Sequence, residues 1–277
     1  MLLLMPTFVL RACAVTLCLC VLAACTSQPP AAGDRPSAGV AAQLAPSGKL
    51  RAAINFGNPI LATREGPNGP PRGVSVDLAR ELAKRLGVEA ELVLYSAAGK
   101  VTEGAKAKEW DVAFVAIDPA RAADMDYSAP YVIIEGAYLV PRASPITANE
   151  QVDRAGNRVV VGRGSAYDLY LSRELKNAKL VHAPTSPAVV DTMVAENAEV
   201  AAGVKQQLQA DAKRVPNVRL LDGRFMVINQ AMAIAKGRPE ATRYVAAFVE
   251  EMKRTGFVAD ALKRHDIEGA AVAPPAN

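Results

Sequence analysis

The chain has 277 residues, a formal net charge of +4, 51% hydrophobic residues and 5% aromatic residues. No dense Lys/Arg face interleaved with aromatics runs through it, which argues against a nucleic-acid surface, and its histidines, His182 and His265, are too far apart in sequence for a zinc motif. The four cysteines, Cys13, Cys18, Cys20 and Cys25, all fall near the amino end, so the body of the chain has no cysteine for a disulfide, a metal site or a thiol nucleophile.

Residues 2–24 are apolar or small, with Arg11 the only charge, and run into Leu22-Ala23-Ala24-Cys25. That order of charge, apolar centre and small-residue site predicts an export signal over residues 1–24; the other reading, a membrane-spanning anchor, must tolerate Arg11. Residues 25–47 are rich in Ala, Pro, Gly, Ser and Gln without a periodic stripe, which predicts a flexible tether. The body of the chain beyond it, about 225 residues, is enough for two ordinary domains or one large one.

Residues 49–56 read as a first strand and 57–59 as its loop. Loops at the carboxyl ends of strands often line ligand crevices, so Phe56 and Asn58 are candidate pocket walls, against the plainer reading of a connecting loop. Residues 63–73, with Gly66-Pro67 and Gly69-Pro70, form a turn-rich excursion. Val76, Leu78, Ala79, Leu82, Ala83 and Leu86 make one helical stripe over residues 75–86, with Ser75 to cap it and Gly87 to close it. A strand over 88–95 and a more polar helix over 98–109 come next. The apolar run 112–117, bounded by Asp111 and Asp118-Pro119, predicts a buried strand that places Ala116 and Ile117 at its end. This β-α-β-α-β order predicts a parallel sheet with helices on its faces. Arg121 then stands before a second apolar stretch, 131–140. A guanidinium is costly to bury unpaired and well shaped to hold a carboxylate; the alternative is a surface arginine. Glu135, inside that stretch, either faces a cleft or pairs internally.

Beyond Pro141 a polar segment leads to a strand over 158–161 and to Gly162-Arg163-Gly164-Ser165. Ser165 with Asp168 forms a capping box for a helix to about residue 175, whose free backbone donors suit an anion. The string lacks the length and ending of a phosphate-binding loop. A strand over 179–182, a helix opened by Ser186-Pro187, a strand over 199–202, a turn at 203–205 and a helix over 206–215 come after it. The strand over 225–235 carries Asn229 and Gln230 inside an apolar run, which places them at a bend or facing a cleft. Helices over 239–254 and 257–264 precede a loose tail, 270–277.

Strand, turn, Arg121 and then Asp126-Tyr127-Ser128-Ala129-Pro130-Tyr131 resemble the corresponding region of periplasmic solute-binding proteins of the polar amino acid class, and Leu22-Ala23-Ala24-Cys25 resembles a bacterial lipoprotein cleavage box. The resemblance implies an α/β, two-lobed periplasmic binding protein type II fold. Two parallel-rich mixed sheets are joined by a two-strand hinge near Val140 and Phe225, with lobe one over 48–140 and 225–269 and lobe two over 141–224. It implies a monomer in the periplasm, lipid-anchored through Cys25, without cofactor or metal. Such a protein captures a small carboxylate-bearing solute, an amino acid or related organic acid, for an ABC permease in the inner membrane. Arg121 would grip the carboxylate, the Gly164-Ser165 turn would close over it, and Phe56, Asn58, Ala116 and Ile117 would add walls. The chain departs from the pattern at Val204, where many amino acid binders carry an aspartate for the ammonium group. Lys205 beside it either holds a second carboxylate or is solvated. The same scaffold also resembles periplasmic enzymes of the cyclohexadienyl dehydratase type and ligand sensors, although no nucleophile elbow or placeable acid-base pair is visible.

Overall fold

The computed structural model describes residues 36–66 and 68–276; the expected export signal, Cys25 and the first part of the expected tether lie outside the described residues. In chain order the elements are α1 (Ala38–Leu44), β1 (Lys49–Asn55), α2 (Val74–Leu86), β2 (Glu89–Tyr95), α3 (Ala98–Lys106), β3 (Val112–Ala116) and β4 (Met125–Pro141). Next are β5 (Arg158–Gly162), α4 (Ala166–Glu174), β6 (Lys179–Ala183), α5 (Val189–Ala195), β7 (Val200–Val204), α6 (Lys205–Arg214) and β8 (Val218–Leu220). The last are β9 (Met226–Ala235), α7 (Pro239–Arg254), α8 (Phe257–Arg264) and β10 (Ala271–Val272).

The main strand order is β2-β1-β3-β9-β4-β7-β5-β6, with β8 and β10 also pairing β4. β1 lies parallel to β2 and β3, and β5 lies parallel to β6 and β7. Between these flanks, β9 and β4 run antiparallel to each other and to their outer neighbours. The α/β class is therefore as expected, and the two expected sheets are linked through β9 and β4 into one continuous array. β4 is long enough to serve both flanks: residues Met125 to Gly136 pair β9, and Gly136 to Leu139 pair β7. Close packing holds this crossing. Tyr138 stacks on Phe225 at 4.2 Å, and a Cβ on Gly136 would lie 2.7 Å from the Met226 side chain.

The apolar patterns account for the packing. All five residues of β3 are buried, as an uninterrupted Val-Ala-Phe-Val-Ala run in mid-sheet requires, and α2 and α7 bury their stripes against the same core. A separate apolar cluster joins Val189, Val190 and Met193 of α5 to Val160 and Ala201 of the other flank.

Three expectations need correction. Residues 36–47 are not wholly tether: Ser37 caps α1 through a bond from the Val40 N–H, Val40 and Leu44 are buried, and Gln43 accepts bonds from Arg238 and from the Ala241 N–H of α7. Ser75 does not cap α2. Gly73 holds that position at φ 125°, where a Cβ would lie 2.4 Å from the Leu61 carbonyl oxygen, and the buried Ser75 hydroxyl instead sits 3.3 Å from Tyr131 Oη. The tail is not loose over its first residues: β10 pairs Ile133 and Val132, and the Ala273 N–H donates to the Tyr131 carbonyl.

Candidate functional site

Loops at the carboxyl ends of the parallel strands of both flanks converge on one small cavity. From the β1–β3 flank come Asn55, Gly57 and Asn58 after β1, Ala98 at the start of α3, and Ala116 and Arg121 after β3. From the β5–β7 flank come Ser165, Ala166 and Tyr167 at the start of α4, Ser186, and Val204 at the end of β7. Ile228 and Gln230 of β9 complete the wall. The empty volume is about 340 Å³.

Arg121 opens a short turn, Arg121–Ala123, and is 2% exposed. Its Nη1 donates to the Ala116 carbonyl at 2.9 Å and its Nη2 to the Gly164 carbonyl at 2.8 Å, so one side chain bonds the backbone of both flanks. Nε is buried without a partner. A guanidinium has five N–H donors, so most of this group's capacity is open to an acceptor. Burial pushes its pKa down, against the nearby Tyr127 and Asp118, which favour the charged form. Asp118 does not neutralise it directly: that carboxylate accepts from the Ala120 N–H at 2.8 Å and from Arg173 Nη2 at 2.9 Å.

Ser165 is both helix cap and cavity wall. Its Oγ accepts from the Asp168 N–H at 3.0 Å, while Asp168 accepts from the Gly164 N–H at 2.7 Å and lies 2.9 Å from His182 Nε2. This reciprocal bonding fixes the turn whose carbonyl receives Arg121. Gly164 has φ +67°, and a Cβ added there would lie 2.7 Å from the Gly99 Cα at the start of α3. The flanks thus touch backbone to backbone beside Arg121.

Of the residues singled out in the sequence, Arg121, Ser165, Asn58 and Ala116 are brought together. Phe56 instead borders an outer hollow with Leu94, Tyr95, Thr185 and Pro187, where the Arg64 guanidinium lies 4.8 Å from its ring centre. Ile117 is 41% exposed and outside the wall. Glu135 and Lys205 pair with each other at 3.0 Å, and Arg224 reaches Glu135 at 2.7 Å, away from the cavity. Arg224 first, then Lys205, hold the Glu135 carboxyl below its ordinary pKa. Gln230 is visible in advance as an amide in an apolar strand. Ser186 reads only as a helix start, and Tyr167 and Ile228 carry no signal that separates them from core. Among the described residues no cluster of His, Cys, Asp and Glu is arranged to hold a metal.

Residues 50–265 match the family described as bacterial extracellular solute-binding proteins, family 3. The chain is similar to the L-cystine-binding protein TcyJ of Escherichia coli strain K12, at 26% identity over 195 residues, 69% of this chain and 73% of the relative. Among solved structures it is similar to a solute receptor for L-cysteine of Neisseria gonorrhoeae, with a TM-score of 0.72 and 22% identity over 84% of this chain and 95% of that one. It is also similar to the ancestral amino acid-binding protein AncCDT-1, a precursor of cyclohexadienyl dehydratase, with a TM-score of 0.68 and 23% identity over 81% and 98% of the two chains. These structural likenesses speak to the fold.

Proposed function

The chain belongs to the bacterial extracellular solute-binding proteins, family 3, and from that premise we propose that it captures a small carboxylate-bearing solute in the periplasm and delivers it to an ABC permease. The observation that carries this reading is Arg121, a buried cation at a cavity between two flanks, with Nε and further N–H donors unpaired. A carboxylate accepting from that edge supplies the counter-charge that Asp118, taken by Arg173, does not. Binders of L-cystine and L-cysteine among the similar proteins also take small carboxylate-bearing solutes.

In this reading the flanks are lobes, residues 48–140 with 225–269 and residues 141–224, turning on β4 and β9. The solute docks on Arg121 while they stand apart, and closure brings Gly164 and Ser165 over it, shifting the open and closed populations. The closed form is the signal for the permease, and a lipid on Cys25 keeps the protein at the membrane. Capture is preferred to turnover because the chain belongs to a solute-binding family, and among the described residues lining the cavity there is no carboxylate or imidazole to move a proton.

Native mass spectrometry of the purified protein identifies retained acids, and calorimetry with these, L-cystine and L-cysteine compares wild type with Arg121→Ala. The expected outcome is binding at least about tenfold weaker in the variant, with an unchanged far-ultraviolet spectrum. An unaltered isotherm removes Arg121 from the site.

A further inference from the structure

The wall of the Arg121 cavity carries one charge. Among the described residues that line it there is no Asp, Glu, Lys or His, and Asn55, Asn58, Ser165, Ser186 and Gln230 are neutral polar groups. Burial pushes the Tyr167 phenol up to about 12, so it too is a neutral hydroxyl at physiological pH. The nearby acids lie outside the wall: Asp118 is paired with Arg173 and Glu135 with Lys205 and Arg224, while Asp168 points away into the Gly164 N–H and the His182 ring.

These charges set a balance. One carboxylate on Arg121 brings the closed cavity to neutrality. A zwitterionic amino acid adds an ammonium group close to the guanidinium, with no anion opposite it, in a space where unpaired charge is poorly solvated. A dicarboxylate fails in the other direction. Its second carboxylate has no cation on the wall, because Lys205 is held 3.0 Å from Glu135 and lies off the cavity.

The unpaired polar atoms say what stands in place of the ammonium. Arg121 Nε is a buried donor without an acceptor, Asn58 Oδ1 is a buried acceptor without a donor, and the Tyr167 hydroxyl on the same wall is also unpaired. A carboxylate satisfies the first and any N–H or O–H donor the second, so it is the charge balance of the wall that favours a neutral hydroxyl there over an ammonium. We propose that the solute class is singly charged hydroxy acids, carrying one carboxylate for Arg121, a hydroxyl for Asn58 and no ammonium. This rests on the capture reading above and narrows it away from the amino acids bound by the similar proteins.

Calorimetry on the purified protein with pairs sharing a carbon skeleton tests it: L-lactate and L-alanine, L-glycerate and L-serine, L-phenyllactate and L-phenylalanine, L-malate and L-aspartate, with L-cysteine and L-cystine as further amino acids. The expected result is at least one singly charged hydroxy acid bound at least about tenfold more tightly than its amino acid partner and than any other amino acid tested. An amino acid or malate that equals or exceeds every singly charged hydroxy acid, and whose binding Arg121→Ala weakens, overturns the class and leaves capture standing. No binding by any compound, or binding indifferent to Arg121→Ala, overturns the capture reading together with the class. Val204→Asp adds a carboxylate to the wall and is expected to move the preference toward the amino acid of a pair by at least about tenfold. An unchanged preference in a folded V204D protein refutes charge balance as the cause. If that variant does not fold, the wild-type pairs decide alone.

Discussion

Asp111 has a side chain with no exposed surface, and it accepts from the Arg51 N–H, from Arg51 Nε and Nη2, and from Arg238 Nη1. It joins the entry to β3 with β1 and with the turn before α7. Removing it strands two guanidinium groups, so Asp111→Ala is expected to cost about 3 kcal/mol or more, read as a lower urea midpoint at constant slope. A loss below about 1 kcal/mol shows that the pairs offset only their own desolvation. The residue scale also explains which site residues were legible. Ala116 and Ile117 both end the β3 run, but adjacent side chains diverge, so one meets the cavity and the other is 41% exposed. Glu135 and Lys205 are separated by 70 residues, and Glu135 and Arg224 by 89, so no local pattern announces that they neutralise one another. Arg121 was legible through its place between strand and Asp126-Tyr127-Ser128-Ala129-Pro130-Tyr131, which carries the resemblance, whereas its bond to the Gly164 carbonyl, 43 residues away, was not.

At the scale of elements, long periodic segments were read with nearly the right ends, and α7 and α8 begin and end where their stripes and Gly256 predict. Short pieces were not. α1 has seven residues rich in alanine and β10 has two, so neither carries enough period to stand out from a linker, and each is defined by what it docks against. Leu44, fully buried at the end of α1, makes the docking measurable: Leu44→Ala is expected to cost about 2–4 kcal/mol, seen as a lowered thermal midpoint. No change in midpoint means that α1 adds nothing to the fold. α2 and α7 are further joined by Arg85 Nη1 and Nη2, which donate to Glu251 at 2.6 and 2.8 Å. Arg85 holds the Glu251 carboxyl below the ordinary 4.5, as Arg158 does for Glu199. A depressed folded pKa gives stability that is complete above the unfolded value and lost as pH falls through the folded one. The urea midpoint is therefore expected to drop below about pH 4.5, and Arg85→Gln to make that drop shallower. An equal slope in the variant excludes this pair from acid unfolding.

At the scale of the whole molecule, the order β-α-β-α-β predicted the parallel β1–β3 flank, and the second flank has the same order. The two strands that join them were expected near Val140 and Phe225 only through the family resemblance, because both are apolar runs like any buried strand; the pairing of β4 with β9, β7 and β8 gives their register. The meeting of Gly99 with Gly164 was hidden, since two glycines so distant in the chain each read as local turn or helix features. It is open to a direct test. A Cβ on Gly99 would lie 3.3 Å from the Gly164 Cα, so Gly99→Val is expected to hold the flanks apart, weaken solute binding by about tenfold or more, and leave the thermal midpoint of the solute-free protein within a few degrees. Unchanged affinity in that variant means that the glycine contact is not part of closure. Where these two main chains abut, glycine faces glycine, so in the proposed capture the approach of the flanks at this point depends on backbone alone. On that reading a library randomising Asn58, Val204 and Gln230 is expected to alter which solute is bound without altering the Gly99–Gly164 approach.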